Sequence, residues 1–314
     1  MGKPFHSVEF PGVSDKMKAP IKINFKSFIH PAIHATRASV CAAVFIVSSG
    51  AQAQNLFVSQ YNPGVITETS PAGATSTFAS GLSYPGGLAF DTAGDLFEAD
   101  FGSGNIYEFT PGGGRTTYAA VSYPEGLAID GAGDLFVGCY LTGIITEIKP
   151  GGAQSTFASG LNQPYGLAVN TAGDVFEADF GDGKIIEITP AGAQINFAAG
   201  LSGPFGLTLD GMGDLFVSQY GSGTITKFTP TGVPSTFATG LRVPEGLGVD
   251  SADDVFVADY ATGDIYKFTP DGVRTTLAFN ADPTFLAVQP TPEPATLGLL
   301  AIGAAAHLLR RRRR

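Results

Sequence analysis

The phrase "YPGGLAFDTAGDLFEADFGSGNIYEFTP" (84–111) returns four more times in near-identical form, at 123–150, 163–190, 203–230 and 243–270. The proline near the start of each copy stands at Pro85, Pro124, Pro164, Pro204 and Pro244, so the period is 39 or 40 residues. A fixed period of that length means a stacked array in which each unit buries its apolar face on its neighbours. Each unit holds four short β-branched and aromatic runs, "GLAF", "DLFEAD", "NIYEFT" and "TTYAA" in the first copy, separated by Gly, Pro and Asp. Those separators are turn chemistry, and four strands per unit of this length are the pattern of a β-propeller blade.

The ends of the array favour a closed ring. The array begins partway through a unit, with "NLFVSQYNPGVITETSPAGATSTFAS" (55–80) supplying the last three strands, and finishes with "DPTFLAVQP" (282–290), which supplies only a first strand. Together they make one complete unit. Five whole units plus this composite predict an all-β fold: a six-bladed β-propeller with four-stranded blades, its first blade completed by both termini. Closure removes the exposed sheet edges. An open solenoid would instead need capping repeats.

Charge is segregated. Residues 55–291 contain 7 basic and 25 acidic side chains, although the whole chain has a formal net charge of only -10. An acidic body repels phosphate backbones, so nucleic acid is excluded as a partner. The two cysteines, Cys41 and Cys139, fall on either side of the expected signal cleavage, leaving no internal disulfide. All four histidines (His6, His30, His34 and His307) lie outside 55–291, so the repeat domain has no imidazole for acid/base work.

Both ends read as addresses. Residues 1–54 read as a signal peptide: Lys18, Lys22, Lys26 and Arg37, then an apolar core and small residues, with Ala51-Gln52-Ala53 in the A-x-A form of a signal-peptidase site. Met17 is an alternative start. At the other end, 291–314 holds Pro292-Glu293-Pro294, an apolar helix over 295–309 and five arginines. Fifteen helical residues reach about 22 Å, short of the about 30 Å hydrocarbon core, so the helix holds the inner membrane only transiently. The arginines keep that end in the cytoplasm.

Pro292-Glu293-Pro294, the short helix and the basic cluster, in that order, resemble the PEP-CTERM sorting signal of bacterial surface proteins. The resemblance implies processing by an exosortase near the Pro-Glu-Pro element and delivery to the cell surface or extracellular matrix. Over 55–290 the repeat phrase resembles NHL-type six-bladed propellers, in the wider group with the gluconolactonase family and virginiamycin B lyase. That likeness implies a fold more than an activity.

Positions that vary between blades are the candidates for function. The residue after the leading proline reads Thr284, Gly86, Glu125, Tyr165, Phe205 and Glu245 around the ring. The last residue of the second strand reads Gln60, Asp100, Cys139, Asp179, Gln219 and Asp259. Both are expected at one mouth of the central channel. Gln60, Glu125, Tyr165, Phe205, Gln219 and Glu245 are the expected ligand-binding residues. Asp100, Asp179 and Asp259 fall on alternate blades and are candidate ligands for a hard cation such as Ca²⁺. The alternative for each is a strand-ending Asp that binds the next loop.

Glu98 and Glu177 replace a valine found in the other blades and read as channel or blade-surface polarity. The recurrent Asp91, Asp130, Asn170, Asp210 and Asp250 read as turn formers.

The expected function is an exported, non-catalytic propeller binding an extracellular polysaccharide or protein. A virginiamycin-type lyase uses an essential histidine, by resemblance, and the domain has none. A metal-dependent gluconolactonase-like hydrolase and a purely structural spacer are the alternatives.

Overall fold

The computed structural model describes residues 54–291. The cleavage residues Ala51 and Ala53, the sorting residues Pro292, Glu293 and Pro294, and the helix at 295–309 lie outside them.

The described residues form 24 strands in six antiparallel four-stranded sheets. Blade 1 joins the chain ends: Pro283–Val288 is its innermost strand, followed by Leu56–Gln60, Val65–Thr69 and Thr75–Ser80. Leu56 pairs with Val288 and Gln60 with Pro283, and the Gln289 N–H donates to the Asn55 carbonyl at 2.9 Å. The last strand thus closes the ring as expected. Blades 2 to 6 begin with the inner strands Pro85–Phe90, Pro124–Ile129, Pro164–Val169, Pro204–Leu209 and Pro244–Val249. Each inner strand lies against the inner strands of the blades before and after it.

Local chemistry sets this geometry. Each inner strand pairs with the second strand of its blade, as in Pro85 opposite Asp100 and Pro164 opposite Asp179. Proline is tolerated there because the strand's other edge faces the channel and needs no ladder donor. In blades 2 to 6 the first turn is closed by its Asx residue: Asp91 Oδ1 accepts the N–H groups of Ala93 at 2.9 Å and Asp95 at 2.8 Å. Gly94 supplies the left-handed backbone, with φ of 86°.

The second strands are buried along their whole length, except for Gln219 at the end of Leu215–Gln219, because each is covered on both faces by flanking blades. The core is therefore a set of interblade layers. Phe136 packs with Leu167, Val175 and Ile188 of the next blade, and meets Phe157 edge-on with ring centroids 4.8 Å apart. The outer strands, such as Arg115–Ala120, are mostly exposed.

Neighbouring inner strands approach so closely that the third strand position must be glycine in five blades. A Cβ on Gly126 would stand 1.7 Å from the Tyr165 carbonyl oxygen. In blade 1 this position is Phe285, whose ring instead meets Phe205 with centroids 5.3 Å apart.

Candidate functional site

The two variable positions come together at one end of the channel. The residue after the leading proline starts the inner strand, and the end of the antiparallel second strand lies beside it. The turns and loops that follow raise a wall around this mouth.

The wall is aromatic. The residue after each second strand is Tyr61, Phe101, Tyr140, Phe180, Tyr220 or Tyr260. The same backbone bond fixes all six. The Phe101 N–H donates to the Tyr84 carbonyl at 3.2 Å, the Tyr140 N–H to Tyr123 at 3.0 Å and the Tyr260 N–H to Val243 at 2.9 Å. Tyr61, Phe180 and Tyr220 donate to Asp282, Gln163 and Gly203 in the same way. Tyr84 and Tyr123 hold left-handed backbones, with φ of 56° and 54°, an uncommon state for bulky residues that the surrounding loop must enforce. Tyr84 is 47% exposed, and Tyr123, Leu141, Tyr220 and Tyr260 also face solvent. So much exposed apolar surface around one rim marks a contact face.

The floor is built from the inner-strand residues. The rings of Tyr165 and Phe205 are stacked, with centroids 4.3 Å apart. Glu125 on blade 3 and Glu245 on blade 6 flank that pair from opposite sides of the ring. Thr284 and Gly86 complete the circle. The cavity so enclosed measures about 350 Å³, and its lining includes Glu125, Glu245, Tyr165, Phe205, Tyr61 and Thr284. Glu125 is 4% exposed and Glu245 6%. Burial pushes the Glu125 carboxyl up to about 8. Burial, and then the charges of Glu125, Asp259 and Asp282, push Glu245 up to about 9. Burial and the Glu125 charge also raise the Tyr165 hydroxyl. At neutral pH the floor therefore carries protonated carboxyls that can both donate and accept hydrogen bonds.

The opposite end of the channel holds a separate cavity of about 260 Å³, lined by a ring that includes Leu88, Leu127, Leu167, Leu207 and Leu247. It has no titratable side chain.

Asp100, Asp179 and Asp259 are not brought together. Each is turned back into its own blade and occupied. Asp100 accepts the N–H groups of Ser83 at 2.7 Å and Ser103 at 3.0 Å. Asp179 accepts those of Asn162 and Asp182, both at 3.0 Å. Asp259 accepts those of Arg242 at 2.8 Å and Val243 at 3.0 Å. Among the described residues no three Asp, Glu, His or Cys side chains stand together as a metal site. The donors present do not fit a Ca²⁺ centre, because the carboxylate oxygens already hold the mouth loops.

Gln219 plays the same part, accepting the Ser202 N–H at 2.8 Å and donating to Thr226 at 2.8 Å. Gln60 is tied to Asn280 at 3.0 Å and Thr67 at 3.1 Å. Of the six expected ligand-binding residues, then, Glu125, Tyr165, Phe205 and Glu245 line the mouth, whereas Gln60 and Gln219 clasp its loops. Cys139 is fully buried beside Thr146, and burial raises its thiol, so it is not a poised nucleophile.

Glu98 and Glu177 are not on the channel or a blade surface. Both are 0% exposed, and all four carboxyl oxygens lack a hydrogen-bond partner. They sit at a position where Val137 and Val217 join interblade layers.

The aromatic collar and Phe285 were not among the residues the sequence singled out. A sequence signal for the collar exists: the residue after the second strand is Tyr or Phe in all six blades although it lies in a turn.

Residues 290–314 match the PEP-CTERM protein-sorting motif. Curated protein sequences give no match to the chain. Several solved structures share its fold. A chain of the nidogen/laminin complex superposes with a TM-score of 0.70 at 20% identity, over 76% of this chain and 99% of that one. Virginiamycin B lyase from Staphylococcus aureus gives a TM-score of 0.61 at 15% identity, over 75% and 88%. A protein described as a gluconolactonase gives 0.58 at 17% identity, over 66% and 81%. At these identities the likeness is one of fold. The chain is a six-bladed β-propeller whose residues 290–314 carry the PEP-CTERM sorting motif.

Proposed function

We propose that this protein is an exported, non-catalytic propeller that binds an extracellular glycan through the aromatic mouth. One observation carries the reading: a concave floor of stacked Tyr165 and Phe205, flanked by the buried carboxyls Glu125 and Glu245. Aromatic faces pack against the C–H faces of a sugar ring, and protonated carboxyls meet its hydroxyls as donor and acceptor. The sorting motif supports an extracellular setting, where polysaccharide is the abundant ligand. After export, an exosortase acts at the tag and the inner membrane holds the protein only until then.

Hydrolysis is less well supported. A metal-dependent lactonase needs a cation site built from Glu125 or Glu245 with Asp179 or Asp259, and both aspartates are engaged by backbone N–H groups. A glycan array probed with the full chain and with the Tyr165→Ala/Phe205→Ala double variant tests the reading. Wild type retains a defined set of glycans and the variant loses them; retention that is equal in both overturns it.

A further inference from the structure

The floor of the mouth is electrostatically incomplete. Glu125 and Glu245 are each more than nine-tenths buried. They stand on blades three apart in a ring of six, so they face each other across the axis. The cavity lining contains no Lys, Arg or His. No ion pair among the described residues reaches either carboxyl. The other ionisable groups coupled to them are Asp259, Asp282 and the phenols of Tyr61, Tyr165 and Tyr260, none of which supplies a positive charge. Burying two carboxyls without a cation is costly, and a protein that needed only an inert channel would place apolar residues there, as it does at the other end.

The walls repeat the same polarity. Tyr165, Phe205 and the collar tyrosines present π faces, which are the negative faces of aromatic rings and attract cations. A cation placed on the stacked pair would touch a ring face and stand between two carboxyls. At about 350 Å³ the cavity is at the low end of the about 300–1,000 Å³ typical of ligand pockets, a size for a sugar ring and not for a folded segment.

We infer that the mouth selects an amino sugar: a glycan unit whose free ammonium group is held between Glu125 and Glu245 over the Tyr165–Phe205 stack. This deepens the glycan-binding reading and rests on it. It excludes the N-acetylated form as the preferred ligand, because an acetamide carries no charge and gains nothing from ionising the two carboxyls. A bound ammonium would draw the raised carboxyls back to the ionised state.

The experiment is calorimetric titration of the purified full chain at pH 6, where the amine is protonated, with a glucosamine oligomer and separately with the N-acetylglucosamine oligomer of equal length. The Glu125→Gln/Glu245→Gln variant, which keeps side-chain shape, is titrated with both, and its melting temperature is checked against wild type. The expected result is a preference of about tenfold or more for the free amine in wild type, lost in the Gln variant while weak glycan binding persists. Raising the salt concentration should leave the preference in place, since a buried pair is little screened.

Equal binding of both oligomers by wild type overturns the ammonium assignment and leaves glycan binding standing. A preference that survives in the Gln variant also overturns it, because the charge is then read by the acidic surface and not by the mouth. Binding of neither oligomer overturns the ammonium assignment, and the array above decides separately whether glycan binding stands.

Discussion

The ring of Tyr165 lies on that of Phe205 with centroids 4.3 Å apart and planes 28° from parallel, on adjacent blades at the floor of the channel mouth. Two neighbouring blades that differ from the others at one position thus create a surface that none could make alone. The repeat supplies the scaffold, and the site is where the repeat is broken.

Replacing both rings by alanine should abolish glycan retention and also lower the melting temperature. Phe205 is buried against Tyr165, Phe180 and Phe285, so its truncation removes packing as well as a contact surface. Removing base- or sugar-like stacking contacts costs on the order of 1–3 kcal/mol each in comparable sites, about a tenfold to hundredfold drop in affinity per ring. Affinity measured by calorimetry beside thermal melting separates the two effects.

Glu98→Val and Glu177→Val should each stabilise the fold. Val occupies this position in four blades, and the glutamates leave four buried oxygens without partners. Relief of one unsatisfied buried group is worth about 1–3 kcal/mol. Denaturant unfolding of each variant against wild type measures it.

The same substitutions should flatten the pH dependence of stability. Burial, with Asp179 and Asp182, holds the Glu177 carboxyl at about 9 against 4.5 in the open chain. The folded state therefore binds this proton more tightly than the unfolded state does. Its stabilisation is complete below about pH 4.5 and declines as pH rises towards about 9. Burial, then the Asp100 charge, pushes Glu98 the same way. Melting temperatures recorded from pH 5 to pH 9, a window set by those values, should fall more steeply for wild type than for the double valine variant.

Asp179→Ala should destabilise the blade 4 mouth by about 1–3 kcal/mol, because the N–H groups of Asn162 and Asp182 lose their acceptor. Ca²⁺ added to wild type should leave its melting temperature unchanged. A clear rise would point to the cation centre that the alternate-blade aspartates suggested.

Much of this was legible in the sequence, and the reason is physical. A 39- to 40-residue period with complementary half-units leaves ring closure as the simplest way to bury every edge, and the Pro283–Val288 strand does pair with Leu56–Gln60. Glu125, Tyr165, Phe205 and Glu245 stood out because they vary against a constant background. What the sequence hid was direction. Asp100 and Glu125 both occupy mouth positions, yet one turns into its loop and the other lines the cavity; strand-end geometry, not residue type, decides which. Glu98 looked like surface polarity because its neighbour two residues on is Asp100, but the second strand is covered on both faces. The collar was overlooked because it is constant, and a constant aromatic suggests packing until its turn is seen to border open space.

Tyrosine fluorescence gives the most direct test of the central claim. The chain has ten tyrosines and no tryptophan, and seven of them (Tyr61, Tyr84, Tyr123, Tyr140, Tyr165, Tyr220 and Tyr260) stand at the mouth. Titrating the full chain with a retained glycan should produce a saturable change in tyrosine emission that disappears in the Tyr165→Ala/Phe205→Ala variant. Saturable glycan binding with no change in emission would place the ligand elsewhere and contradict the account.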